Sequence, residues 1–387
     1  IMPVNHNLEA NPTFYTSEML RSYNNAQPVF EMLGKEEHLS CRTYDLPHGF
    51  LREDREAMLG WFDLHLKQRG TGAARAEKPF TLLEEDELMV YPKGKRDPDI
   101  VTSPEYLSQR GGSLREMYLR SGFHDPVKQR QGLSDILGIR GSRKLKEVHQ
   151  YTSAGGWDRY ALETNDLELI PLLHLPPTIP DKGYVILSNP EGKAAIAPEV
   201  IAEYRMKGTG IVLVDLTGTG EISSPSDSSS DKQFVFHTSS RALMWLGKTL
   251  LGQWVKDLEL VIEFLKTNYQ AREISVDGRK ETALAGLFLS AINGNVEHVT
   301  LRDAPLSYLF DSRETVDFYS MAVHVPRFLN WGDVSLAAAL AESAVTFILP
   351  RTMSGREVRG PSLEDFRVEF VEKAEMYGKR NPVRFEP

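Results

Sequence analysis

The chain has 387 residues, 41% of them hydrophobic and 26% charged, with a net charge of −9. These values are those of a soluble globular protein with room for more than one domain. They leave no Lys/Arg-rich block interleaved with aromatics for a nucleic acid and no apolar run of about 18 residues for a membrane span. The single cysteine, Cys41, excludes an internal disulfide and a cysteine-based zinc site, and reads as a small apolar residue in a strand.

In chain order, Ile1 to His6 reads as a short strand and Ser17 to Lys35 as a helix with an apolar stripe, kinked at Pro28 and closed by Gly34. Leu39 to Leu46 alternates as a strand does. Pro47-His48-Gly49-Phe50 forms a loop before an amphipathic helix over Arg52 to Gln68. The opening residues have neither a signal-peptide pattern nor a usual start, and are expected to continue a preceding segment. Gln68 to Pro79 is a polar linker. A strand is expected over Glu87 to Tyr91, then a helix from Ser103 broken at Gly111-Gly112, then a short helix from Val127. Three strands suited to antiparallel pairing follow, within His149 to Pro176.

Lys182 to Pro190 and Gly210 to Val214 are continuous apolar runs, as fully buried parallel strands are. The helix Ala197 to Gly208 lies between them, and a serine-rich loop spans Ser223 to Gln233. One long amphipathic helix is expected over Trp245 to Asn268. Next come a strand (Ile274 to Asp277), a sharp turn at Gly278, a helix from Glu281 and a strand over Val296 to Pro305. A strand over Ala344 to Thr352, a helix opened by a Ser362 cap and a short final strand complete the series. The order is that of an α/β hydrolase: a mostly parallel sheet with helices on both faces.

In that fold the turn at Gly278 carries the nucleophile in the pattern G-x-S-x-G. Here the five residues are Gly278, Arg279, Lys280, Glu281 and Thr282, so lysine stands in the serine position and threonine in that of the second glycine. Charged neighbours make this read as a solvated turn rather than a desolvated lysine nucleophile. The acid position after Ile348-Leu349-Pro350 holds no aspartate, and Glu357 reads as a loop residue. The elements are expected to end before a histidine loop. Asn189 to Gly192 occupies the place of the oxyanion-hole loop, which has no intermediate to stabilise without a nucleophile. Asp215 to Gly220 lacks the third glycine that would open a helix in a phosphate loop, and reads as structural. The first residues, in contrast, give strand, helix, strand, His-Gly loop and helix, the closing sequence of such a fold. His48 then stands at the general base, whereas His6, His38 and His65 read as surface or packing residues.

The stretches VLVDLTGTG, ALMWLGKTLLGQWVKDLELVIEFL, EISVDGRKETALAGLFLSAINGNVEHVTLRDAPLSYLFD and FLNWGDVSLAAALAESAVTFILP resemble the acetyl xylan esterase-like α/β hydrolases over about residues 150–350. Residues 1–70 resemble the tail of such an esterase. The resemblance implies a tandem arrangement: residues 1–70 as the end of a first hydrolase domain, 71–145 as linker and lead-in helices, and 146–387 as a second domain lacking the nucleophile. It makes His48 the base and Glu9, after the first strand, the acid. It implies no cofactor and no metal, a periplasmic or secreted setting, and an acylated polysaccharide or oligosaccharide as substrate. A serine would come from a second polypeptide or a preceding segment. The other reading of residues 151–387 is a non-catalytic scaffold or glycan-binding module.

Overall fold

The computed structural model describes residues 1–11, 14–91, 95, 97–141, 143–180, 182–224, 235–379 and 383–386. They gather into two compact units, Ile1–Pro98 and Asp99–Pro387.

In the first unit β1 (Val4–His6) and β2 (Arg42–Tyr44) pair in parallel, Val4 opposite Arg42. Parallel strands need a crossover, and α1 (Thr16–Met32) supplies it. After β2 the chain turns through His48 into α2 (Arg52–Lys67), where the Asp54 carboxylate accepts the Leu51 N–H at 2.7 Å. Gln68 ends α2 in a left-handed conformation. The strand expected over Glu87–Tyr91 does not form; α3 (Glu85–Leu88) covers part of it. Four acidic residues in a row suit a helix N-terminus better than a strand, and Glu87 folds back to accept the Glu84 N–H at 2.9 Å.

The second unit begins with α4 (Ser103–Arg120) and α5 (Pro126–Leu137). An antiparallel meander follows: β3 (Leu145–Ala154), β4 (Trp157–Thr164) and β5 (Leu169–Leu175). The parallel part alternates strands and helices: β6 (Tyr184–Ser188), α6 (Pro198–Met206), β7 (Gly210–Val214), α7 (His237–Trp245), α8 (Leu250–Tyr269), β8 (Ile274–Arg279), α9 (Glu281–Asn293) and β9 (His298–Arg302). It ends with α10 (Phe328–Trp331), α11 (Val334–Leu340), β10 (Ala344–Ile348), α12 (Gly360–Met376) and β11 (Val383–Glu386). One nine-stranded sheet results, in the order β11-β10-β9-β8-β6-β7-β5-β4-β3. Every residue of β6 and β7 is buried, as the continuous apolar runs require. The strand order reverses at β6, which lies between β7 and β8. In open α/β sheets the carboxyl ends of the strands at such a reversal form the ligand crevice.

Three expected features differ. The helix expected from Trp245 to Asn268 is two helices, because Gly247 turns left-handed and the Thr249 hydroxyl caps α8 by accepting the Gly252 N–H at 3.0 Å. Helix α4 runs unbroken through Gly111-Gly112; Gly111 faces Leu309 and Leu329, where a Cβ would stand 3.1 and 3.3 Å from their side chains. Helix α12 starts beyond Arg359 with proline in its first turn and no side-chain cap, so Ser362 is inside the helix. Most of the serine-rich loop expected over Ser223 to Gln233 lies outside the described residues. No helix among them is long and apolar enough to cross a membrane.

Candidate functional site

In the first unit, β1 and β2 end side by side because they are parallel and in register. Residues a few positions past each end therefore meet. Glu9 follows β1, His48 follows β2, and the His48 Nδ1 is hydrogen-bonded to the Glu9 carboxylate. The Glu9 side chain is 5% exposed and that of His48 69%. Glu9 also accepts the Asn11 N–H at 2.9 Å. That bond, with the one from His48 and against the effect of desolvation, holds its carboxyl below the usual range. An ionised Glu9 fixes the proton on Nδ1 and leaves Nε2 as the free acceptor. The Phe14 ring lies 5.5 Å from the imidazole. A cavity of about 550 Å³ opens at the pair, lined also by Ile1, Met58, Trp61 and Phe62, and among the described residues no serine, threonine or cysteine lines it. His6, expected at the surface or in packing, is buried with Nε2 2.9 Å from Asp54.

In the second unit the turn falls where the spacing puts it. Lys280 has φ 51° and ψ −123°, between the last residue of β8 and the first of α9. Gly278 is required because a Cβ there would lie 2.6 Å from the Ala283 nitrogen. Thr282 is fully buried, its hydroxyl within 3.1 Å of the Ser188 carbonyl and 2.9 Å of the Arg279 carbonyl. Lys280 is not the solvated residue expected. It is half-buried, its ammonium donates to the Phe318 carbonyl at 3.2 Å, and it stands 4.3 Å from the Phe318 ring centroid. Glu281 also departs from expectation, being 1% exposed. Its Oε1 accepts from the Ser320 N–H and from the Ser320 hydroxyl at 2.7 Å, and its Oε2 is buried with no hydrogen-bond partner among the described residues. Burial raises its pKa.

An acyl-transfer site needs a nucleophile at the turn and N–H groups free to face an oxyanion. The turn holds lysine in the place of the serine. The facing loop after β6 has its N–H groups committed: the Glu191 N–H donates to Asn189 Oδ1 at 2.9 Å, Gly192 N–H to the Asn189 carbonyl at 2.9 Å, and Lys193 N–H to Asp215 Oδ1 at 2.6 Å. Asp215 also accepts the Lys193 ammonium at 2.5 Å and the Glu221 N–H at 2.9 Å. The Asp215 to Gly220 turn thus anchors two loops instead of cradling a phosphate.

Sequence reasoning missed the charged cluster beside the turn. Asp303, just past β9, bridges Arg279 at 2.8 Å and Arg351 at 2.6 Å. Asp277 is gripped by Arg302 at 2.8 Å and by the Tyr204 hydroxyl at 2.9 Å. These residues come together through the β8–β9 register, which sets Arg279 opposite Arg302. Alternation of Asp and Arg over 277–279 and 302–303 was the available signal, but only the register turns it into contacts. On β3 and β4, Glu147, His149 and Glu163 bring potential ligand atoms within 4.8 Å. The Lys146 ammonium sits 2.5 Å from Glu163, which marks an ion-paired surface cluster.

A solved Bacteroides fragilis protein, assigned as an acetyl xylan esterase, superposes with a TM-score of 0.53 at 17% identity, covering 74% of this chain and 82% of that one. The fold is that of an α/β hydrolase. Acetyl xylan esterases from Paenibacillus sp. R4 (TM-score 0.44, 11% identity) and Thermoanaerobacterium sp. (0.42, 13%) each cover 71% of this chain and 91% of theirs. At these identities the likeness concerns the fold. No protein-family model and no curated protein matches the sequence. The α/β-hydrolase architecture expected from strand and helix order is thus the observed one, while the catalytic chemistry must be argued from the residues.

Proposed function

We propose that the first unit carries the acid and base of a serine esterase acting on acyl esters of polysaccharides or oligosaccharides, with the serine supplied from outside this chain. The observation that carries the reading is the His48–Glu9 hydrogen bond at the ends of two adjacent parallel strands. In the reaction, Nε2 of His48 takes the serine proton as the oxygen attacks the ester carbonyl, and returns it to the leaving sugar hydroxyl. Water, deprotonated by the same imidazole, then releases the acid. Glu9 orients the ring and stabilises the imidazolium. The second unit is the non-catalytic member in this reading, because its turn holds lysine in place of serine and the amides of the loop after β6 are already engaged. The sugar ester as substrate rests on likeness to the acetyl xylan esterase group.

The test is labelling with a fluorophosphonate probe, on the purified chain and on the assembly recovered from its natural host. The isolated chain should not react. In the assembly a serine outside these 387 residues should be labelled, and His48→Ala should abolish the labelling. A labelled serine within this chain, or labelling indifferent to His48, would overturn the proposal.

A further inference from the structure

Four strands of the second unit end around one pocket of about 280 Å³. Ser188 closes β6, Arg279 β8, Arg302 β9 and Ile348 β10, and each of the four lines it. Ala197 and Val200, at the start of α6, give it an apolar wall. The strand order reverses at β6, so the pocket occupies the crevice where open α/β sheets take their ligands. Its volume is small for such a site and suits a small molecule.

Two observations narrow the occupant. The first is a pair of guanidinium groups. The β8–β9 register sets Arg279 opposite Arg302, so their side chains leave one face of the sheet side by side. Arg279 commits only its Nε, to Asp303 at 2.8 Å. Arg302 commits Nε and Nη2 to Asp277. Both terminal nitrogens of Arg279 and Nη1 of Arg302 are left without an acceptor among the described residues. The two side chains are 51% and 22% exposed, so a ligand can reach them. The second observation is charge. Three guanidinium groups, Arg279, Arg302 and Arg351, face two carboxylates, Asp277 and Asp303, which leaves one positive charge over. Glu203 and Glu357 do not cancel it, since each has a cation of its own, Lys207 at 2.6 Å and Arg359 at 2.5 Å. Arginine donors with spare charge hold carboxylate or phosphate oxygens. One spare charge balances a monocarboxylate and falls short of a phosphate dianion.

We propose that this pocket binds a small monocarboxylate, its oxygens on Arg279 and Arg302 and its hydrocarbon end on the α6 wall. The inference does not rest on the esterase reading. The test is isothermal titration calorimetry of the full chain with sodium benzoate at low ionic strength, where screening is weak. Saturable binding of one benzoate per chain is expected. Benzyl alcohol, of similar shape and no charge, should not bind. Arg279→Gln should weaken benzoate binding roughly tenfold, the effect of charge-assisted hydrogen bonds at a half-exposed group. Asp303 keeps Arg351 at 2.6 Å in that variant, so its thermal melt should stay close to that of the wild type. Ala197→Phe, at an exposed position on the pocket wall, should abolish binding by filling the space. Absent or non-saturable benzoate binding, equal binding of benzyl alcohol or of inorganic phosphate, or an affinity unchanged by either substitution would overturn the proposal.

Discussion

Glu281 shows how packing can override the solvated role that a charged run suggests. A carboxylate beside the turn would be harmless if solvated, as the charged run Arg279-Lys280-Glu281 suggests. The helix start instead turns it inward, where it takes both donors of Ser320. Its burial has a measurable sign. The folded-state pKa is raised above the ordinary glutamate value. The folded protein therefore keeps a proton that the unfolded chain has released. Stability from this group is fully present below the unfolded pKa and is lost as pH rises through the folded one. Glu281→Gln keeps the shape and removes the titration. The variant should gain on the wild type in urea midpoint as pH rises from about 4.5 to about 7.5. Parallel curves for the two proteins would contradict this account. Lys280, with a positive φ and a ring and a carbonyl as partners, is likewise a built part of the turn.

At the level of elements, glycines in helices separate propensity from packing. Gly112 in α4 has open space where a Cβ would go. Gly112→Ala should therefore stabilise by about 0.5–1 kcal/mol through helix propensity alone. Gly252 in α8 lies against α5, where a Cβ would stand 2.2 Å from the Leu137 carbonyl oxygen. Backbone cannot yield as a flexible side chain can, so Gly252→Ala should destabilise by about 1–3 kcal/mol despite the same propensity gain. Chemical denaturation of the two variants gives both signs. The contrast also explains why Gly111-Gly112 does not break α4: a glycine pair costs a helix little where packing on Leu309 and Leu329 holds it. The expected strand over Glu87–Tyr91 failed for the converse reason, with no neighbouring strand among the described residues to pair it and a local acidic cap favouring a helical turn.

For the whole molecule, the core is divided unequally. Among the apolar side chains of the described residues up to 98, Ala57 alone is fully buried, and α1 buries none. Val29, Met32, Leu33, Phe50, Phe62 and Leu66 are exposed there. The second unit holds Trp254, Phe264, Phe288 and Phe347 fully buried around its sheet. A two-stranded sheet with two long helices and one short one has too little buried area to offset its conformational entropy. Residues 99–387 alone should thus melt cooperatively near the transition of the full chain, while residues 1–98 alone should show no cooperative transition. A thermal melt of the two pieces decides it. Loss of cooperative melting in the larger piece would refute the division.

The sequence alone determined the strand and helix order of the parallel sheet and the position of the turn at Lys280. These follow from hydrophobic period, buried apolar runs and glycine placement, all local signals. It also placed His48 and Glu9 after successive strands, where parallel pairing would bring them together. Only the tertiary structure decided the contacts. The Asp303 bridge depends on strand register and joins it to residues 24 and 48 positions away in sequence, Arg279 and Arg351. The inward turn of Glu281 depends on Ser320 from another loop. The pocket at Arg279 and Arg302 is assembled from the ends of four strands. Local patterns encode elements because their causes lie within a few residues. A site's bonds join residues distant in sequence, so their causes appear only once the chain is packed.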